Sequence, residues 1–134
     1  MGTVPTDIEA ITLFIEDVQR SKDFYSEVFG VDVIHEEEAA VVFKFANTLI
    51  NLLQVKSAPD LIAPAIVADQ AAGARYQFTL GVGNVDEVCA QLETRGVKLL
   101  NGPMDRPWGS RTASFTDPDG HIWEIAGPQS GDGN

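Results

Sequence analysis

The feature that most constrains this 134-residue chain is an internal repeat. Ile11-Thr12-Leu13-Phe14-Ile15 is matched by Phe78-Thr79-Leu80-Gly81-Val82, Asp17-Val18 by Asn84-Val85, and Gly30-Val31 by Gly96-Val97. Each copy opens with an alternating apolar run, the mark of a half-buried strand. A polar residue suited to capping follows, and then apolar residues at helical spacing. In the first copy residues 9–15 read as a strand, with Ile11, Leu13 and Ile15 on one side and Ala10, Thr12 and Phe14 on the other. Asp17 is placed to cap a helix over 18–29, whose inner stripe is Val18, Ser21, Phe24, Tyr25 and Val28, and Gly30 stops it. Strands over 31–35, 40–46 and 49–55 complete the copy, with Glu36-Glu37-Glu38 as a charged hairpin tip.

The second copy repeats the plan. Its helix runs to Arg95 with Val85, Val88, Cys89 and Leu92 inward, and a strand over 98–101 precedes a Pro-rich loop over 102–107. Two strands, 110–116 and 121–126, close it around Asp117-Pro118-Asp119-Gly120, where Pro presets φ and Gly supplies the freedom a tight turn needs. A copy of about 50 residues is too small to bury a core alone. The expected architecture is therefore α+β, one domain over 1–134, built from two βαβββ modules at 8–56 and 75–127. Residues 57–74 read as an Ala/Pro-rich linker with one short helical turn. Leu61, Ile62, Ile66 and Val67 are too apolar for a free linker and are expected to lie over a partner surface. Residues 1–7 and 127–134 should be loose.

The formal net charge of −11 makes nucleic acid and membrane surfaces poor partners and favours a cationic ligand. A single cysteine, Cys89, allows no internal disulfide and fits a reducing compartment, so a cytoplasmic location is expected. No apolar run is long enough for a membrane span. A nucleophile elbow, a dinucleotide fingerprint and a phosphate-cradling Gly loop are all missing. In the last strand His121, Trp123 and Ile125 alternate with Ile122, Glu124 and Ala126, which sets the Glu124 carboxylate among apolar neighbours. Trp108, between Pro107 and Gly109, either lines the mouth of a site or plugs the end of a barrel. Arg111 either meets an anion or pairs with one of the many acids. Trp123 and Cys89 read as core, His35 as surface, and His121 as packed or hydrogen-bonded.

The repeat, the Asp17-Val18-x-x-Ser21-x-x-Phe24-Tyr25 helix entry and the Asp-Pro-Asp-Gly-His-x-Trp-Glu ending together resemble the vicinal oxygen chelate superfamily, which includes glyoxalases, extradiol dioxygenases and bleomycin-resistance proteins. The resemblance covers residues 8–126 and implies a mixed sheet curled round an open cavity, usually in a homodimer. Metal-bearing members draw ligands from the first and fourth strands of each module. Those positions here are Ala10, Asn51, Gln77 and Glu124. Ala10 cannot ligate, Asn51 and Gln77 are neutral, and only Glu124 carries charge, so neither a metal nor any other cofactor is expected. The resemblance implies a protein that binds a small organic, possibly cationic, ligand through Phe14, Asn51, Gln77, Trp108 and Glu124. The alternative is a lyase, isomerase or dioxygenase with a reduced metal site. No catalytic residue is assigned.

Overall fold

The computed structural model describes residues 3–129. The chain divides into two compact units that meet in sequence at Val67 and Ala68. The first holds β1 (Ala10–Ile15), α1 (Val18–Phe29), β2 (Asp32–Glu37), β3 (Ala40–Lys44) and β4 (Leu49–Gln54), followed by the short helix α2 (Pro59–Ile62). The second holds β5 (Gln77–Gly81), α3 (Val85–Thr94), β6 (Asn101–Asp105), β7 (Ser110–Thr116) and β8 (Ile122–Pro128). Each unit has its own four-stranded mixed sheet, ordered β1-β4-β3-β2 and β5-β8-β7-β6. The predicted α+β class and the two βαβββ modules are therefore present.

The repeat extends to the caps. The Asp17 carboxylate accepts from the Arg20 N–H at 3.0 Å, and the Asn84 side-chain Oδ1 accepts from the Glu87 N–H at 3.1 Å. Both satisfy N–H groups that a helix start leaves unpaired. Gly30 then ends α1 at φ 65°, a left-handed conformation that favours glycine.

Each helix covers one face of its sheet. In the first unit Ser21, Tyr25 and Val28 of α1 are buried, and the Tyr25 ring meets Phe43 at 5.9 Å between centroids. Strand alternation places Leu13, Ile15, Val41, Ile50 and Leu52 on that same face, all buried. In the second unit Val85, Cys89 and Leu92 of α3 are buried, as are Ala113, Phe115, Trp123 and Ile125. Burial pushes the Cys89 thiol pKa up, and the nearby Asp86 charge adds to it. Trp123 packs on Phe78 at 5.0 Å, the core role expected of it.

Several strand limits differ from those the sequence suggests. The sixth strand is Asn101–Asp105, not 98–101, so Gly102 and Pro103 lie inside a strand and not in a loop. They are tolerated because β6 is an edge strand whose register slips between Asn101 and Met104. Glu36 and Glu37 belong to edge strand β2, and the hairpin tip is Glu38-Ala39. Gly127 and Pro128 continue β8, whereas 130–134 lie outside the described residues. The stretch over 57–74 carries α2 and two 3-10 turns, with Leu61 and Ile66 exposed.

Candidate functional site

The face of each sheet opposite its helix carries a row of residues set by strand register. In the first unit the row is Thr12, Asn51, Val42 and His35, one from each strand. In the second it is Thr79, Glu124, Ser114 and Asn101. The rows match strand for strand, with Thr12 equivalent to Thr79 and Asn51 to Glu124. Both central pairs are hydrogen-bonded: Asn51 Nδ2 donates to Thr12 Oγ1 at 3.3 Å, and Thr79 Oγ1 donates to Glu124 Oε1 at 2.9 Å. The second unit's row is polar from end to end, whereas Val42 interrupts the first.

Glu124 is half-buried, with Ile122 and Ala126 beside it on β8. It forms no ion pair among the described residues, where the acid–base contacts involve Glu36, Glu37, Asp86 and Asp105. Arg111 cannot reach it. Its parity places it with Ala113 and Phe115 on the helix face, where it bonds Asp86 at 3.0 Å and Asp105 at 3.1 Å. Those bonds, Asp86 first, raise the Arg111 pKa above its usual value. Gln77 sits on the row's face, exposed at the start of β5. Phe14 holds the equivalent face of β1, half-buried.

The β6–β7 turn adds residues to this face that sequence reasoning missed. Arg106 Nε donates to Thr112 Oγ1 at 2.8 Å, and its Nη2 donates to Asn101 Oδ1 at 3.2 Å. Thr112 is two residues from Ser114 on β7, on the same face, and is only 2% exposed. Trp108 does not plug anything within the chain: it is 70% exposed, with the Arg106 guanidinium 5.9 Å from its ring centroid. The turn is tight, closed by Arg106 N–H to Ser110 O at 2.7 Å and Gly109 N–H to Arg106 O at 3.1 Å. Strand parity alone argues against Arg111, which alternates with Thr112 and so shares the face of apolar Ala113.

His121 hydrogen-bonds through Nδ1 to the Tyr76 hydroxyl and stacks on its ring at 5.9 Å. This is the packed role expected of it. His35 is exposed on β2 and lies 3.2 Å from Glu37.

The donors at the four family metal positions do not suit a tightly held divalent ion. Ala10 offers a methyl group, Asn51 and Gln77 offer neutral oxygens, and one Glu124 oxygen already accepts from Thr79. Among the described residues no group of three or more His, Cys, Asp or Glu is arranged to hold a metal.

Two repeated βαβββ units, each with a polar pair joining its first and fourth strands, define a vicinal oxygen chelate fold. Residues 7–125 match the family model of the Glyoxalase/Bleomycin resistance protein/Dioxygenase superfamily, and the chain belongs to it. The chain is 29% identical over 119 residues to YraH of Bacillus subtilis (strain 168), covering 86% of this chain and 93% of that protein. It is 23% identical to the metallothiol transferase FosB of Staphylococcus saprophyticus, over 88% of this chain and 74% of that one. Among solved structures it resembles TnmS3, an antibiotic binding protein from Streptomyces sp. CB03234, with 26% identity, a TM-score of 0.71, and coverage of 96% of this chain and 100% of that one. No helix among the described residues is long and apolar enough to cross a membrane.

Proposed function

We propose that this protein binds a small organic molecule without a metal, using the face of the second sheet opposite α3. The observation that carries the reading is the Thr79–Glu124 pair at 2.9 Å. It holds a half-buried carboxylate, with no cationic partner among the described residues, in the middle of a polar row. Such a group favours a ligand with a cationic or hydrogen-bond-donating group, and the low-polarity flank of Ile122 and Ala126 strengthens its field. Gln77 and Trp108 are the further contacts of this unit. Asn51 and Phe14 are the equivalent contact positions of the first. The likeness to an antibiotic binding protein supports binding over chemistry, as does the weak donor set at the family metal positions.

The test is a panel of small amines and drug-like molecules, screened by thermal shift and then titrated. Glu124→Gln keeps the shape and removes the charge. It should weaken a cationic ligand by about tenfold to a hundredfold, the range for hydrogen bonds to charged groups, with little change in melting temperature. An unchanged affinity with a melting temperature several degrees lower would show Glu124 to be structural and overturn the reading.

A further inference from the structure

We infer that Arg106 is an oxyanion-recognition residue, so that the ligand of this face carries a carboxylate or phosphonate-type group in addition to whatever Glu124 reads. The inference rests on the binding role proposed above and specifies the ligand's chemistry. Three observations carry it.

The first is that the guanidinium is held in place without being neutralised. Its Nε and Nη2 donate to Thr112 Oγ1 and Asn101 Oδ1, both uncharged oxygens. Among the described residues no carboxylate pairs with it, although the chain has 20 acidic residues and 9 basic ones. Its near neighbour Arg111 shows the contrast, being matched to two carboxylates on the helix face. The N–H groups that Arg106 does not use retain the planar fork that suits a carboxylate or phosphonate oxygen pair.

The second is pre-organisation. The Arg106 backbone closes the neck of the β6–β7 turn, and its carbonyl also accepts from Gln129 Nε2 at 2.9 Å. The Trp108 ring beside the guanidinium supplies a flat apolar surface next to the charge. Little conformational freedom is left for an arriving anion to remove.

The third is placement. Asn101, which accepts from Arg106, ends the same row that Glu124 occupies, with Ser114 between them. Adjacent strands lie about 4.8 Å apart, so Asn101 and Glu124 stand about 10 Å apart across the sheet. The two charged groups form no ion pair with each other, and a row of this width is within the span of one small molecule.

The test uses the full chain, labelled with ¹⁵N, and four aromatic probes that differ only in the charged group: benzoate, phenylphosphonate, benzylamine and benzyl alcohol. The Arg106 Nε–H and Trp108 Nε1–H resonances are followed during titration at low salt. Benzoate or phenylphosphonate should shift both signals saturably and bind about tenfold or more tightly than benzyl alcohol. Comparison of these two anions shows which oxyanion geometry the fork prefers. Arg106→Gln should abolish that advantage while benzylamine binding, read by Glu124, persists. Arg106→Lys, which keeps the charge and loses the fork, should recover only part of it and serves if the Gln variant misfolds. Anionic probes that bind no better than benzyl alcohol, or equally well to a folded Arg106→Gln protein, would overturn the inference. Benzylamine binding in that case would leave the Glu124 reading standing. Failure of benzylamine with success of the anions would reject the Glu124 reading alone.

Discussion

Replacing Asp117 should reveal how much of the second unit depends on one turn. Asp117 is 3% exposed, and its Oδ1 accepts from the backbone N–H groups of Asp119 at 3.0 Å and His121 at 2.9 Å. Two backbone bonds frame the same turn: Asp117 N–H to His121 O and Gly120 N–H to Asp117 O, each at 3.0 Å. Asp117→Ala leaves the framing bonds but strands two N–H groups. A stranded buried donor costs about 1–3 kcal/mol, and removing a buried carboxylate returns part of its desolvation penalty. The net loss should be about 2–3 kcal/mol, or about 8–12 °C in melting temperature for a chain of this size. Asp117→Asn keeps an oxygen at the Oδ1 position and should lose about half as much or less. Urea unfolding at constant m-value, with calorimetry alongside, measures both. An Ala variant within about 0.5 kcal/mol of the parent would show that the side-chain bonds do not hold the turn. An Asn variant as damaged as the Ala one would show that charge, not acceptor geometry, is what matters.

Three other outcomes follow from the structure. Gly102→Ala should destabilise by about 2–4 kcal/mol, because at φ +83° an added Cβ would lie 2.5 Å from the Thr112 carbonyl oxygen and 2.7 Å from Ala113 Cα; stability near that of the parent would refute the close approach. Burial, and secondarily the Asp117 charge, raises the Tyr76 pKa above its usual 10.0, so stability should be intact below pH 10 and fall as pH rises through and beyond it. Tyr76→Phe should flatten that alkaline limb, and an unchanged slope would count against the assignment. Exposed Leu61 and Ile66 should be covered in a homodimer. Sedimentation should give twice the chain mass, and Leu61→Glu with Ile66→Glu should shift it towards monomer, whereas a parent chain that is monomeric at micromolar concentration would refute this.

The helices were legible because their signals are local. Asp17 and Asn84 announce the caps, and apolar spacing over a few turns announces the buried stripe. Strand parity was legible too, and it assigned Glu124 and His121 to opposite faces correctly. What the sequence concealed was the pairing between strands. Asn101 joins the row of Glu124 only because β6 slips in register between Asn101 and Met104. A bulge of this kind, at a Gly-Pro pair, reads locally as a loop. With the sixth strand read at 98–101, Arg106 falls in a loop that has no face, and Arg111 is the arginine left on a strand. The charged run at Glu36 misled for a related reason: an edge strand bears charge without loss, so acidity alone does not mark a hairpin tip.

The two units show which part of this fold is free to change. On the helix faces they agree closely: capped helices, buried aliphatic strands, and a large ring under each helix. Those positions are fixed by packing, where a change of one side chain is felt by all its neighbours. On the opposite faces the same register carries Thr12, Asn51, Val42 and His35 in one unit and Thr79, Glu124, Ser114 and Asn101 in the other. Backbone ladders hold both rows whatever side chains they bear, so a row can be rewritten without unfolding its sheet. A bond between the threonine and its fourth-strand partner is present in both units, but its direction reverses: the Asn51 amide donates to Thr12 in the first, whereas the Glu124 carboxylate accepts from Thr79 in the second. The face free to vary is thus separated from the face that packs by the thickness of one sheet. The second unit is the one whose row carries a carboxylate, Glu124, and whose far end, Asn101, is bonded to the Arg106 guanidinium; the ligand proposed above draws on that charge.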